Sequence, residues 1–431
     1  MLSILSNRTY RHLFLAQIIA LIGTGLATVA LGLLAYDLAG DRAGAVLGTA
    51  LAIKMTAYIA VAPLAAAFAE KLPRRTMLVS LDLCRAIVAL ALPFVTQIWE
   101  IYILIFVLQS ASASFTPTFQ ATIPDILPNE KQYTRALSLS RLAYDLESVV
   151  SPMLAAALLA VVSFHSLFVG TVLGFLASAA LVVSLKLPQP QQSSVRRSIY
   201  ERTTRGMRIF LKTPRLRGLL ALNLVVAAAS AMVIVNTVVL VQAKFGLTQR
   251  STAIALAVFG LGSMIAALVL PRLLDKISDR TPMLIGTAML VAGLGAGIFI
   301  ESYTALLAIW LFIGIGYSLA QTPSGRLLRR SSDANDRPAL FAAQFTLSHS
   351  CWLITYPLAG WMGAAVSLQA SFIALALVAV FSLVLAAVIW KPEHDALMVL
   401  HSHEDDVTGK SEEHEHDFVI DDEHPSWPKR R

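Results

Sequence analysis

Long apolar stretches alternate with short polar connections along the whole chain. Twelve stretches are dominated by Leu, Ala, Val and Ile, at about 12–36, 45–69, 76–96, 101–123, 136–160, 164–186, 216–242, 250–271, 282–300, 304–324, 339–363 and 367–390. A hydrocarbon core of about 30 Å is crossed by about 20 helical residues. Lipid offers no partner to backbone N–H and C=O groups, so a helix is the spanning form to expect. The ten-residue alternation of a membrane β-barrel is absent. The pattern therefore predicts an all-α membrane protein with twelve transmembrane helices. The first stretch is too long for a cleaved signal peptide, and no small-residue cleavage site precedes a polar start.

The polar connections differ in charge. Arg8 and Arg11 precede the first stretch, and Lys71, Arg74 and Arg75 follow the second. Lys131 and Arg135 follow the fourth, and Arg272, Lys276 and Arg280 the eighth. Arg326, Arg329, Arg330 and Arg337 follow the tenth, and the connection 187–215 holds Arg196, Arg197, Arg202, Arg205, Arg208, Lys212 and Arg215. The opposite connections hold Arg42, Lys244 and Arg250. The positive-inside rule then places both termini in the cytoplasm, for a multi-pass protein of the inner (cytoplasmic) membrane.

Composition agrees with this and removes rivals. Of 431 residues, 56% are hydrophobic and 14% charged, too few charges to cover a soluble protein of this size. A soluble enzyme, a nucleic-acid module and a disordered chain are excluded for the chain as a whole. The net charge of +7 is split, with −7 in residues 391–431 and +14 elsewhere, so the high pI reflects topology and not nucleic acid. Cys84 and Cys351 both lie in apolar stretches, and no CxxC motif is present.

The chain also repeats itself at an offset of about 205 residues. Thr116-Pro117-Thr118 recurs as Thr322-Pro323-Ser324, Ser151-Pro152 as Tyr356-Pro357, and the charged loop 70–75 at 275–280. Parallel repeats about an axis along the membrane normal follow. Four segments result: a six-helix half at 1–187, a basic linker at 188–215, a second six-helix half at 216–390 and a tail at 391–431. Within the linker, Ile199 to Leu211 reads either as an amphipathic helix on the inner leaflet or as a solvated, frayed segment.

Twelve spans in two halves, with basic loops after spans 2 and 8, resemble the major facilitator superfamily. Its loop signature, roughly G-x-x-x-D-R-x-G-R-R, is matched by class in Ala66 to Arg75, although both glycines are missing. A second copy runs from Asp275 to Arg280. The resemblance implies the fold, and it implies that Glu70, Lys71, Arg74, Arg75, Asp275, Lys276, Asp279 and Arg280 form a conformational latch. An acid at a helix end can meet a neighbouring helix dipole or an arginine in one state only. The alternative is that the basic residues merely set topology. In span 5, Glu147 to Ala156 resembles the G-x-x-x-G-P-x-x-G-G stretch of antiporters, with Glu147 in place of the first glycine. That leans towards export, against the alternative of a proline kink with close-packing small residues.

Ionisable groups at membrane depth are costly and mark function. They are Lys54, Asp82, Arg85, Arg141, Asp145, Glu147 and His349. Arg141 and Asp145 stand four apart, and Asp82 and Arg85 three apart, spacings that allow pairing on one helix face. Either the pairs are structural, or Asp145 or Glu147 exchanges its arginine for a proton and couples transport. His349 titrates, binds metal or packs. In this fold the resemblance lines the cavity with spans 1, 4, 7 and 10. Their polar residues include Gln17, Thr24, Gln109, Ser112, Thr116, Asn223, Asn236, Tyr317 and Gln321, giving a polar and nearly neutral cavity with few aromatics.

The tail carries His394, His401, His403, His414, His416 and His424 among twelve acidic residues. Imidazole suits Ni²⁺, Co²⁺, Zn²⁺ and Cu²⁺, so the tail is a candidate for transient divalent-metal capture, otherwise a solubilising and disordered segment. The tail and the opening stretch Asn7 to Gln17 resemble the nickel- and cobalt-resistance exporters of the superfamily, whose relatives export drugs and siderophores. The expectation is proton-coupled efflux of Ni²⁺ or Co²⁺. A small organic compound, drug or siderophore is the first alternative, and a membrane metal sensor or scaffold without transport the second. No HExxH, GxSxG or phosphate-binding loop is present, so no enzyme and no resident cofactor are expected. Substrate, protons and the lipid bilayer are the expected partners, without nucleic acid, and a monomer suffices.

Overall fold

The computed structural model describes residues 2–39, 43–69, 72–159, 161–188, 199–395, 398–404, 411–420, 424 and 427. Among these, twelve long helices take the places of the twelve apolar stretches. In the first half they are α1 (Arg8–Ala39), α2 (Ala43–Ala69), α3 (Arg74–Ala91), α4 (Ile98–Ile126), α5 (Glu130–Leu159) and α6 (Phe164–Val183). The linker forms α7 (Ile199–Lys212). The second half holds α8 (Pro214–Val238), α9 (Gln249–Leu274), α10 (Arg280–Gly297), α11 (Tyr303–Gln321), a short continuation α12 (Ser324–Arg330), α13 (Arg337–Ala365) and α14 (Leu368–Ile389).

Eight helices among the described residues are long and apolar enough to cross a membrane by themselves. Within α2 the apolar stretch Ala52–Ala65 is shorter. α5 and α13 begin with polar turns, and α10 is 18 residues long.

Each half packs around its own core. α1 lies on α6, α3 on α4 and α6, and α2 on α4; in the second half α9 lies on α11, α10 on α11 and α14, and α8 on α14. Between the halves the main contacts are α2 with α13 and α5 with α9. The outer faces expose large apolar side chains, with Ile87, Phe94, Phe299 and Phe381 each more than 60% accessible. That arrangement suits lipid and not water.

The linker forms the helix that one of its two readings expected, while the tail differs from its reading. α7 neither lies free nor frays. Ile209 and Phe210 are buried, Arg205 pairs with Asp336, and Gly206 lets α7 approach α13 so closely that a Cβ would come within 2.0 Å of the Ala339 carbonyl oxygen. The tail, expected to be disordered, forms an antiparallel pair, β1 (Met398–Glu404) with β2 (Ser411–Asp417). After it, Phe418 and Ile420 are buried beside Leu216, Leu219, Leu327 and Trp390 of the second half.

Candidate functional site

The halves are tied together at the face where the basic connections gather. α4 ends here after Pro117 and Pro124, and Asp125 lies in its last turn. Asp125 accepts from Arg74, the first residue of α3, and from Arg337, the first residue of α13 in the other half. An acid is misplaced at its own helix C-terminus, yet here it meets the positive N-terminal ends of two other helices. The side chains are 5%, 18% and 12% exposed for Arg74, Asp125 and Arg337, so water screens the bridge only in part.

A second cluster sits beside it. Asp279, at the start of α10, is fully buried, 2.9 Å from Arg326 Nε and 3.5 Å from Arg330 Nε. Neither Asp279 oxygen makes an aligned hydrogen bond among the described residues, so the attraction is Coulombic. Burial pushes its carboxyl above the usual range, while Arg330 and Arg326 pull it down. Arg326 also donates to Glu130 Oε1 (2.6 Å) and Thr134 Oγ1 (2.8 Å) of the first half. Tyr133 Oη donates to the Gly325 carbonyl at 3.2 Å. A Cβ at position 325 would stand 2.9 Å from that hydroxyl and 2.7 Å from Leu137, so glycine permits the close approach of α12 to α5.

Of the expected latch residues, Glu70 and Lys71 lie outside the described residues. Arg74 and Asp279 stand in the network. Arg75, Asp275 and Lys276 are exposed instead, and Arg280 donates to the Trp390 carbonyl at 2.8 Å within its own half. The partners Asp125, Glu130, Arg326, Arg330 and Arg337 were not assigned to the latch by the sequence reading. A signal existed: Asp125 and Arg330 are 205 apart, as are Arg74 and Asp279.

On the inner faces, Asp82 accepts from Arg85 and, at 2.7 Å, from Ser178 Oγ. Arg85 also lies between the rings of Phe115 and Phe175, 4.2 and 4.6 Å from their centroids. A small cavity beside Arg85 is lined by Gln17, Thr24, Thr116 and Tyr144. Thr24 also faces Gln109 and Ser112 in a second cleft. Arg141 crosses between halves, donating to Ser263 Oγ (3.3 Å) and Tyr317 Oη (3.4 Å) with its guanidinium over the Tyr317 ring. The side chains of Asp145 and Glu147 lie outside the described residues. Gln321 is half-buried at the end of α11.

One expected cavity residue, Asn236, is placed at a helix contact, and another, Asn223, is buried. Asn236 is buried where α8 meets α13 and α14, donating to the Ala359 carbonyl (3.1 Å) and Ser371 Oγ (3.2 Å). Asn223 is 3% exposed, with an amide nitrogen that meets no acceptor among the described residues. Both follow from α8 being the most buried helix of the set. Aromatic side chains gather outside the four spans expected to line the cavity. Tyr58 of α2 and Phe345, His349, Trp352 and Tyr356 of α13 form a continuous cluster between the halves, with Lys54 Nζ 5.5 Å from the Tyr58 ring. His349 Nδ1 lies 2.6 Å from the Phe345 carbonyl oxygen within it. Sequence periodicity hides this cluster, because its members come from helices about 290 residues apart.

In the tail, the ladder sets His401 opposite His414, His403 opposite Glu412 and His416 opposite Val399. The side chains of these residues lie outside the described residues. His394 and His424 are engaged in aromatic contacts, His394 with Trp427 and His424 with Phe418. Among the described residues no three metal-binding side chains converge.

The architecture has known counterparts. The family model of the Major Facilitator Superfamily matches residues 13–239 and again 219–414. The chain belongs to the major facilitator superfamily. Within it, the chain is 22% identical over 299 residues to the uncharacterized MFS-type transporter YfiS of Bacillus subtilis (strain 168), covering 66% of this chain and 70% of that one. Among solved structures it resembles the human organic anion transporter MFSD10 (TETRAN), with a TM-score of 0.77 at 13% identity over 88% of this chain and 99% of the other. It also resembles the E. coli fucose:proton symporter FucP, with a TM-score of 0.70 at 13% identity over 89% and 98%. At such identities the solved structures carry the fold alone. As a superfamily member the chain is a multi-pass membrane transporter.

Proposed function

We propose that this transporter exports a small organic compound in exchange for protons, its basic face being cytoplasmic. The observation that carries the substrate class is the charge balance of the inner faces. Beside His349, the described charged groups there are Lys54, Arg85 and Arg141 against Asp82, and Asp82 is held by Arg85. Adding Asp145 and Glu147 from the sequence brings the balance to zero. A bare divalent cation needs a net negative, oxygen- or imidazole-rich site to replace its water. The cluster of Tyr58, Phe345, Trp352 and Tyr356 instead offers π faces to a flat or cyclic molecule. Coupling belongs to Asp145 or Glu147, each a carboxylate in the helix that also carries Arg141. The antiporter-like stretch around Pro152 supports outward movement.

The second reading, efflux of Ni²⁺ or Co²⁺, is favoured by one observation. The β1–β2 register brings His401 opposite His414, with His403 and His416 each two positions further along its strand. Metal crossing as an organic chelate would satisfy both observations.

Proteoliposomes with an imposed pH gradient test these readings. They would be offered a panel of planar organic acids and chelators, Ni²⁺ alone and Co²⁺ alone, against full-length protein, Arg141→Gln and Asp145→Asn. Gradient-driven movement of an organic member, lost in both variants, is expected. Movement of bare Ni²⁺ or Co²⁺, with none for any organic compound, would overturn the organic reading in favour of the metal.

A further inference from the structure

A cavity of about 310 Å³ opens at the basic face where α3 and α13 begin and α4 ends. Arg74, Arg329 and Arg337 line it, against a single carboxylate among the described residues, Asp125. Asp125 is committed to Arg74 and Arg337. Neighbouring carboxylates are committed as well, Asp336 to Arg205 and Glu130 to Arg326. Arg329 donates to the Pro128 carbonyl and lies 5.4 Å from the Tyr133 ring, and the described residues offer it no carboxylate. The Arg337 Nε is buried and meets no acceptor among the described residues.

One helix end adds to this. The first N–H groups of α3 have no side-chain cap, because Pro73 carries no acceptor. The start of α13 adds none, since the Arg337 N–H donates to the Asp333 carbonyl and Pro338 has no N–H. An uncapped helix start with clustered guanidinium groups is a donor set that phosphate oxygens fit.

We propose that this cavity binds a phosphate group, either a phospholipid headgroup of the adjoining leaflet or a soluble phosphate compound. Arg74 comes from the first half and Arg329 and Arg337 from the second, so the site is complete only while the basic face is closed. A ligand that binds one of two states shifts the population towards it. Phosphate therefore holds the transporter shut on its basic side.

The test follows closure directly and needs no transport substrate, so it stands apart from the functional reading above. Full-length protein with Cys84→Ser, Cys351→Ser, Lys131→Cys and Ser278→Cys would be labelled for distance measurement across the basic face. It would be studied in uncharged detergent with inorganic phosphate, and in nanodiscs of phosphatidylglycerol or phosphatidylcholine. Phosphate or phosphatidylglycerol is expected to enrich the short distance, while chloride at equal ionic strength is not. Arg329→Gln is expected to raise the phosphate concentration needed by about tenfold or more, with Arg329→Lys in between. A response to phosphatidylglycerol without one to free phosphate assigns the site to lipid, and a response in detergent alone to a soluble compound. Equal effects of phosphate and chloride, or an Arg329→Gln response like the parent's, would overturn the site.

Discussion

The two halves build the same contact with opposite charges. In the first, Arg74 starts α3 and pairs with Asp125 at the end of α4. In the second, the positions 205 residues later are Asp279, at the start of α10, and Arg330, at the end of α12, which approach to 3.5 Å. The repeat thus preserves a geometry, helix start against helix end, and not the residue types. Reversal changes what each cluster reaches across the halves. The first sends its acid, Asp125, to Arg337, with both side chains less than a fifth exposed. The second keeps its acid buried at home and sends a base, Arg326, to Glu130, which is 52% exposed. Opening the basic face must break both bridges, but only the first is shielded from water, so it should dominate the closed state.

Removing the shielded acid should have the largest effect. Asp125→Asn leaves Arg74 and Arg337 without their carboxylate, and losing one partner of a buried pair costs about 3–5 kcal/mol, less here for the remaining exposure. Closure of the basic face, read by labelling a cysteine introduced at Lys131, should be lost. A labelling rate unchanged from the parent would contradict the ranking.

Giving the first copy the polarity of the second is a sharper test. Arg74→Asp with Asp125→Arg keeps the pair within the half but sets a new base against Arg337, so the chain should fold with its basic face open. Adding Arg337→Asp should close it again. If the double variant labels like the parent, the pairing across halves is not what holds this face.

Asp279 should give a smaller, pH-dependent signal. Its carboxyl is raised in the folded chain, chiefly by burial. Its contribution to stability is then full below the unfolded value of about 3.9, and is lost as pH rises through the raised folded value. Thermal melts in detergent from pH 4 to 8, compared with Asp279→Asn, should show the parent losing more on the alkaline side. Identical slopes would remove Asp279 as the source. Glu130→Gln should matter least, by about 0–1 kcal/mol after solvent screening, and high salt should erase even that.

Much of the closing network could be seen in the sequence only in part. Arg74 and Asp279 stood out because they sit in loops with a recognisable pattern. Asp125 did not, because a single acid after a proline at a helix end resembles an ordinary loop charge. Its partners are 51 and 212 residues away, and no local periodicity links them. Asn236 was misread for the related reason that a polar residue in an apolar helix looks alike whether it faces a cavity or a carbonyl in a neighbouring helix.

Hydropathy, loop charge and the 205-residue repeat determine the span pattern, the two halves and the expected orientation, because the bilayer imposes those constraints on each segment separately. Which charges pair, which polar groups line a path, and where linker and tail dock were decided by the tertiary structure. Those depend on distances of a few ångströms between residues far apart in the chain, where burial sets the strength of each charge.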